Sequence, residues 1–185
     1  MNDLRKWMRL CESHLVETEI PDKTFARAAK QMIGNFDWSG GEGETVIAMV
    51  TGSFDEKINT KSREFRRKLN EWAEGRAWDA YQTVNAHFNG DLIRVYRVIT
   101  AAPDWKPDPA RHPGEYWAYS EQCAEAHWGE FGDGHVEWLL TADVHRSQIN
   151  WVNTLAVNGS PDSEDECEIT TLPETPINFT YKRVK

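Results

Sequence analysis

Two carboxylates one residue apart, Glu166 and Glu168 around Cys167, stand directly before the run Ile169 to Leu172 and Pro173. In an extended strand, residues two apart project from one face, so both carboxylates could act on a single substrate. Glu164 and Asp165, beside Ser163, read instead as a solvated turn. Arg97 follows Tyr96 inside LIRVYRVIT, and its forked, permanently charged guanidinium suits phosphate oxygens. Between these segments lies GEYWAYS, where Tyr116, Trp117 and Ser120 put two rings and a hydroxyl on a short strand. Tyr116 and Trp117 alternate faces, so only one of them can face a pocket. Each feature also has a plain structural reading: a surface ion pair for Arg97, core packing for the aromatics, a solvated turn for the acids.

Other chemistries lack their motifs. No GxGxxG follows a strand and no GxxxxGK[ST] occurs, which removes the usual dinucleotide and P-loop readings. There is no GxSxG elbow. The six histidines form no HExxH, and no metal site is expected.

The elements that must position these residues change character near residue 90. Leu4, Trp7, Met8, Cys11 and Leu15 share one helical face in residues 3–17. Phe25, Ala28, Ala29, Met32 and Ile33 repeat the pattern over 22–33, with Gly34 at a C′ position. Residues 37–43 read as a loop, and 45–51 as a strand or a buried helical turn. Phe65, Leu69 and Trp72 predict a helix stopping at Gly75, and Trp78, Tyr81, Val84 and Phe88 a second one. Beyond that, strands are expected at 91–100, 115–120, 135–144, 166–172 and 177–184. Ser120 would cap a short helix, and 147–157 is open between helix and strand. The proline-rich connection 101–113 is a candidate lid, with Arg111 on it a second phosphate contact.

Helices first and strands second imply an α+β fold rather than alternating βαβ units. We expect a helical region over 1–90 and a β-rich core over 91–185, together one compact domain. No window approaches the roughly 18 apolar residues of a membrane span, and no leader pattern opens the chain. Cys11, Cys123 and Cys167 are odd in number and widely spaced, which predicts unpaired thiols and a reducing, cytoplasmic setting. The net charge of −9 disfavours phosphate binding by the whole surface. Residues 61–76 carry six Lys or Arg against three Glu, for which a solvated helix face outweighs a nucleic-acid face.

In order and spacing, the last ninety-five residues resemble the ADP-ribosyltransferases, which cleave NAD and pass ADP-ribose to an acceptor. The aromatic-Arg motif is matched by Tyr96-Arg97. The Ser-Thr-Ser motif is matched in part by Ala118-Tyr119-Ser120, with Ala124 in the following helix. The Glu-x-Glu motif is matched by Glu166-Cys167-Glu168, then Ile169 to Pro173. Gly114 to Ala118 echoes the Gly-x-Tyr-Phe-Ala of the histidine-tyrosine-glutamate branch.

The resemblance implies a mainly antiparallel split β-sheet core and NAD as substrate. It implies Glu168 as the carboxylate that stabilises the oxocarbenium-like transition state at the ribose. Glu166 would orient or deprotonate the acceptor, Arg97 and Arg111 would hold phosphate, and Tyr116 would stack on nicotinamide with Ser120 nearby. The implied partner is a macromolecular acceptor, a protein ahead of a nucleic acid, and no membrane. Two alternatives stand beside it: an NAD glycohydrolase, and a non-enzymatic acidic inhibitor or nucleic-acid mimic.

Overall fold

A computed structural model describes residues 20–36, 38, 41–52, 59–128, 134–161 and 167–184; for 41, 42, 127 and 128 it describes the backbone alone. The helix expected over 3–17 lies outside these residues.

Helix α1 spans Lys23–Asn35 and buries Phe25, Ala28, Ala29 and Met32, the face the spacing predicts; it runs through Gly34. Helix α2 spans Gly41–Thr51, so the run at 45–51 is helical and the loop expected over 37–43 is helical from Gly41. Helix α3 is one continuous element, Arg63–Asn85, where two helices broken at Gly75 were expected. Ser62 caps it, its hydroxyl accepting from the Phe65 N–H at 3.1 Å. A glycine costs a helix only about 1 kcal/mol, and the buried series Phe65, Leu69, Ala73, Ala77, Tyr81 and Val84 carries the element past Gly75.

The strands are β1 (Phe88–Asn89), β2 (Leu92–Ala101), β3 (Tyr116–Ala118), β4 (Val136–His145), β5 (Glu168–Thr170) and β6 (Phe179–Arg183). Helix α4 (Glu121–Trp128) follows β3, and a 3-10 turn (Arg146–Gln148) leads into helix α5 (Trp151–Gly159). The described strands form one antiparallel sheet in the order β5-β3-β2-β4-β6, with β1 beside β2. A split sheet was expected. The ten-residue pairing of β2 with β4 instead makes a continuous centre from which β3 and β5 extend on one side.

Directly paired residues share a face, so the register sorts the sheet into two surfaces. One carries Ile93, Val95, Arg97, Trp138, Leu140, Ala142, Val144, Trp117 and Ile169. Most of these join the main core, which also takes in Phe25, Met32, Leu69, Tyr81, Trp151 and Leu155 from α1, α3 and α5. Aromatic contacts tie the helices together, Phe25 on Trp78 and Tyr81 on Trp151. The other surface carries Tyr96, Val98, Leu139, Ala118 and Glu168. Its small core is Val98, Ala118, Leu139 and Ala124 of α4, with Tyr96 and Cys123 packed against it.

Strand β5 is a sheet edge, and α5 covers it with side chains. The Asn158 amide donates to the Glu168 carbonyl at 2.6 Å and accepts from the Glu168 N–H at 3.1 Å. Thr154 Oγ1 accepts from the Thr170 N–H at 3.0 Å. Two helix side chains thus satisfy backbone groups that an exposed edge leaves open to other chains.

Candidate functional site

The three segments singled out by residue type fall on neighbouring strands. Tyr96 in β2 pairs with Ala118 in β3, and Ala118 pairs with Glu168 in β5. Tyr96, Ala118 and Glu168 therefore form a row across the surface that α4 covers in part. Tyr116, two residues from Ala118, shares this surface and is half exposed.

Glu168 opens β5 and is half-buried. Thr170, two residues on and so on the same face, donates its hydroxyl to Glu168 Oε1 at 2.8 Å. With Asn158 holding the backbone and Thr170 the side chain, the carboxylate is oriented from two directions. A carboxylate fixed this way on a strand can stabilise positive charge developing beside it without reorganising.

Arg97 faces the other way. It pairs with Leu140 and lies on the Trp117 side of the sheet, so it and Glu168 project from opposite faces. Its Nη1 donates to the Tyr116 carbonyl at 3.1 Å. The guanidinium lies across Gly114, whose φ of 101° and lack of a Cβ permit the approach. Burial pulls the Arg97 pKa below its ordinary value. What the geometry offers at Arg97 is a clamp between β2 and the 114–116 turn, on the face away from the carboxylate.

Trp117 is core, its ring buried and its indole N–H donating to the Gly114 carbonyl at 3.1 Å. That removes it from the outer surface, as strand alternation requires once Tyr116 points outward. Ser120 precedes α4; its carbonyl accepts from Ala124 N–H at 3.1 Å and its hydroxyl meets Cys123 N–H at 3.5 Å, the position of a helix cap. Arg111 is exposed in the 102–115 connection, 3.6 Å from Asp108. Glu166 lies outside the described residues. The strand starts at Glu168 and Cys167 has a left-handed φ of 49°, so strand alternation does not extend back through Cys167.

Two of the cysteines expected to be unpaired form a disulfide, Cys123–Cys167, with Cα atoms 6.2 Å apart. Their 44-residue separation conceals the proximity. Pairing of Ala118 with Glu168 sets the start of β5 beside the end of β3, and α4 folds back over that junction. Among the described residues, no three His, Cys, Asp or Glu gather in a way that could hold a metal ion. Nor is any described helix long and apolar enough to cross a membrane.

One polar cluster escaped sequence reasoning. His145 Nδ1 lies 2.8 Å from Ser147 Oγ, and its Nε2 lies 4.0 Å from Asp91 Oδ2. The same Nδ1 accepts from the Ser147 N–H at 3.2 Å, while Gln148 accepts from the His145 N–H at 2.7 Å. This reciprocal pattern is a capping box closing the 3-10 turn. Its sequence signal is His145 three residues before Gln148.

Compared with known proteins, the chain matches no protein-family model, no curated protein and no solved structure.

Proposed function

We propose that the chain is an ADP-ribosyltransferase that cleaves NAD and transfers ADP-ribose to a macromolecular acceptor, a protein ahead of a nucleic acid. The observation carrying this reading is the adjacency of β2, β3 and β5, which align Tyr96, Ala118 and the oriented Glu168 across one face. In the reaction, the bond between ribose and nicotinamide breaks and nicotinamide leaves with the electron pair. A bond forms from the ribose carbon to a nucleophilic atom of the acceptor, which gives up a proton. Glu168 stabilises the positive charge that builds on the ribose between these events. Tyr116, exposed on the same face, offers a ring for stacking on a planar group. Arg97 contributes by fastening β2 to the Tyr116 carbonyl, not by touching the donor.

The test is nicotinamide release from labelled NAD by the purified protein with and without cell lysate. Glu168→Gln is expected to lower release by ~10²–10³-fold with an unchanged unfolding midpoint. Turnover of that variant at the wild-type rate would remove Glu168 from the chemistry. Nicotinamide release without label on any macromolecule would make the protein a glycohydrolase. Absence of both release and NAD-induced stabilisation, which is ~2.7 kcal/mol at 100 times the Kd, would favour the acidic inhibitor.

A further inference from the structure

The sulfur bridge lies immediately beside the candidate catalytic carboxylate. Cys167 is the residue before Glu168, and its partner Cys123 is in α4, the helix that packs on the same face of the sheet as Glu168. Both cysteines are half-buried, so a small thiol or disulfide can reach them. Cys167 holds a left-handed φ of 49°, a conformation that side chains other than those of Gly, Asn and Asp seldom adopt. Its carbonyl accepts from the Tyr119 N–H at 2.9 Å, which extends the β3–β5 pairing one step beyond Ala118 and Glu168. The start of β5 is therefore fastened on two sides, by Asn158 at its free edge and by the bridge to α4.

We propose that Cys123 and Cys167 form a reversible disulfide that regulates the enzyme by setting the position of Glu168. The proposal rests on the ADP-ribosyltransferase reading for its effect on activity. The oxidised form is the competent one. Reduction frees Cys167 to leave its left-handed conformation, and Glu168, as the next residue, loses its fixed position.

A low-molecular-weight disulfide such as oxidised glutathione serves as oxidant. One cysteine sulfur attacks it and one thiol departs. The second cysteine sulfur then displaces the other thiol and closes the bridge. The two protein thiol protons end on the two departing thiols, and one disulfide is exchanged for another.

The experiment uses the full chain carrying Cys11→Ser, equilibrated across a series of reduced-to-oxidised glutathione ratios. Alkylation and mass measurement give the fraction bridged, nicotinamide release gives turnover, and amide exchange gives protection at Glu168 and Ile169. The bridged fraction is expected to rise across the series, with kcat at least tenfold higher in the bridged form. KM for NAD should stay within twofold, a split that general loss of structure does not produce. Exchange at Glu168 should quicken on reduction by at least tenfold more than exchange in α3. Cys123→Ser and Cys167→Ser should both hold the low rate at every ratio.

Thiols that stay unpaired at the most oxidising ratio, or a kcat that does not vary with the bridged fraction, would overturn the switch. If neither form releases nicotinamide, the enzymatic reading fails by itself. The exchange measurement then still decides whether the bridge positions Glu168, unchanged protection counting against it.

Discussion

Arg97 and Glu168 show how one residue of offset separates two side chains that look like partners. Arg97→Ala is expected to act on stability. It leaves the Tyr116 carbonyl without a charged donor, a loss of ~1.5–3 kcal/mol, readable as a lower urea midpoint at constant slope. A loss of NAD affinity with unchanged stability would instead return Arg97 to the site. Arg94 and Asp143 form a bidentate pair on the surface that carries Glu168, both bonds 2.9 Å. Hydrogen bonding to Arg94, aided by its charge and opposed by slight burial, holds the Asp143 carboxyl below its ordinary pKa. A depressed carboxyl pKa contributes stability above the unfolded value of about 3.9, and that stability is lost as pH falls through the lower folded value. Arg94→Gln should therefore flatten the acid limb of a stability–pH curve. Because the pair is exposed, added salt should flatten it too.

Helix α5 acts as a substitute strand for β5, and this makes it more than a packing element. Asn158→Ala removes two hydrogen bonds to the Glu168 backbone at once. The expected cost is ~1–3 kcal/mol, together with faster amide exchange confined to β5; protection equal to wild type would sink the idea. The 114–116 turn is similarly committed. A Cβ at Gly114 would collide with the Arg97 guanidinium, and the φ of 101° is itself unfavourable for alanine. Gly114→Ala should destabilise the fold by about 1–3 kcal/mol, measurable by denaturant unfolding. These dependencies join elements far apart in the chain, so helix and strand spacing could not disclose them.

The main core runs from Ile20 to Ile177 and includes Ile169 of β5, while Cys123 packs on the small core of the other surface, so the bridge ties α4 and the second core to a strand of the first. The bridge closes a loop between residues 44 apart. Closing such a loop in the unfolded chain is worth ~2–4 kcal/mol. For a domain of this length that corresponds to a fall in Tm of about 4–16 °C on reduction, which calorimetry with and without a reductant would read. An unchanged Tm would mean that the bridge constrains the unfolded chain little.

Local periodicity was enough for the broad plan. The faces of α1 and α3, the long strands β2 and β4, and the division into helices then strands were all legible. Each is written in residues a few positions apart, where side-chain direction repeats with the backbone. The continuity of α3 through Gly75 was not legible, because the packing that sustains it comes from α1 and α5. The same holds for the single sheet, the Cys123–Cys167 bridge and the opposite orientations of Arg97 and Glu168. Those depend on the register between strands, and a shift of one residue reverses every side chain on a strand. Register is set by the assembled core, so residue types named the candidate carboxylate while pairing across β2, β3 and β5 decided what surrounds it.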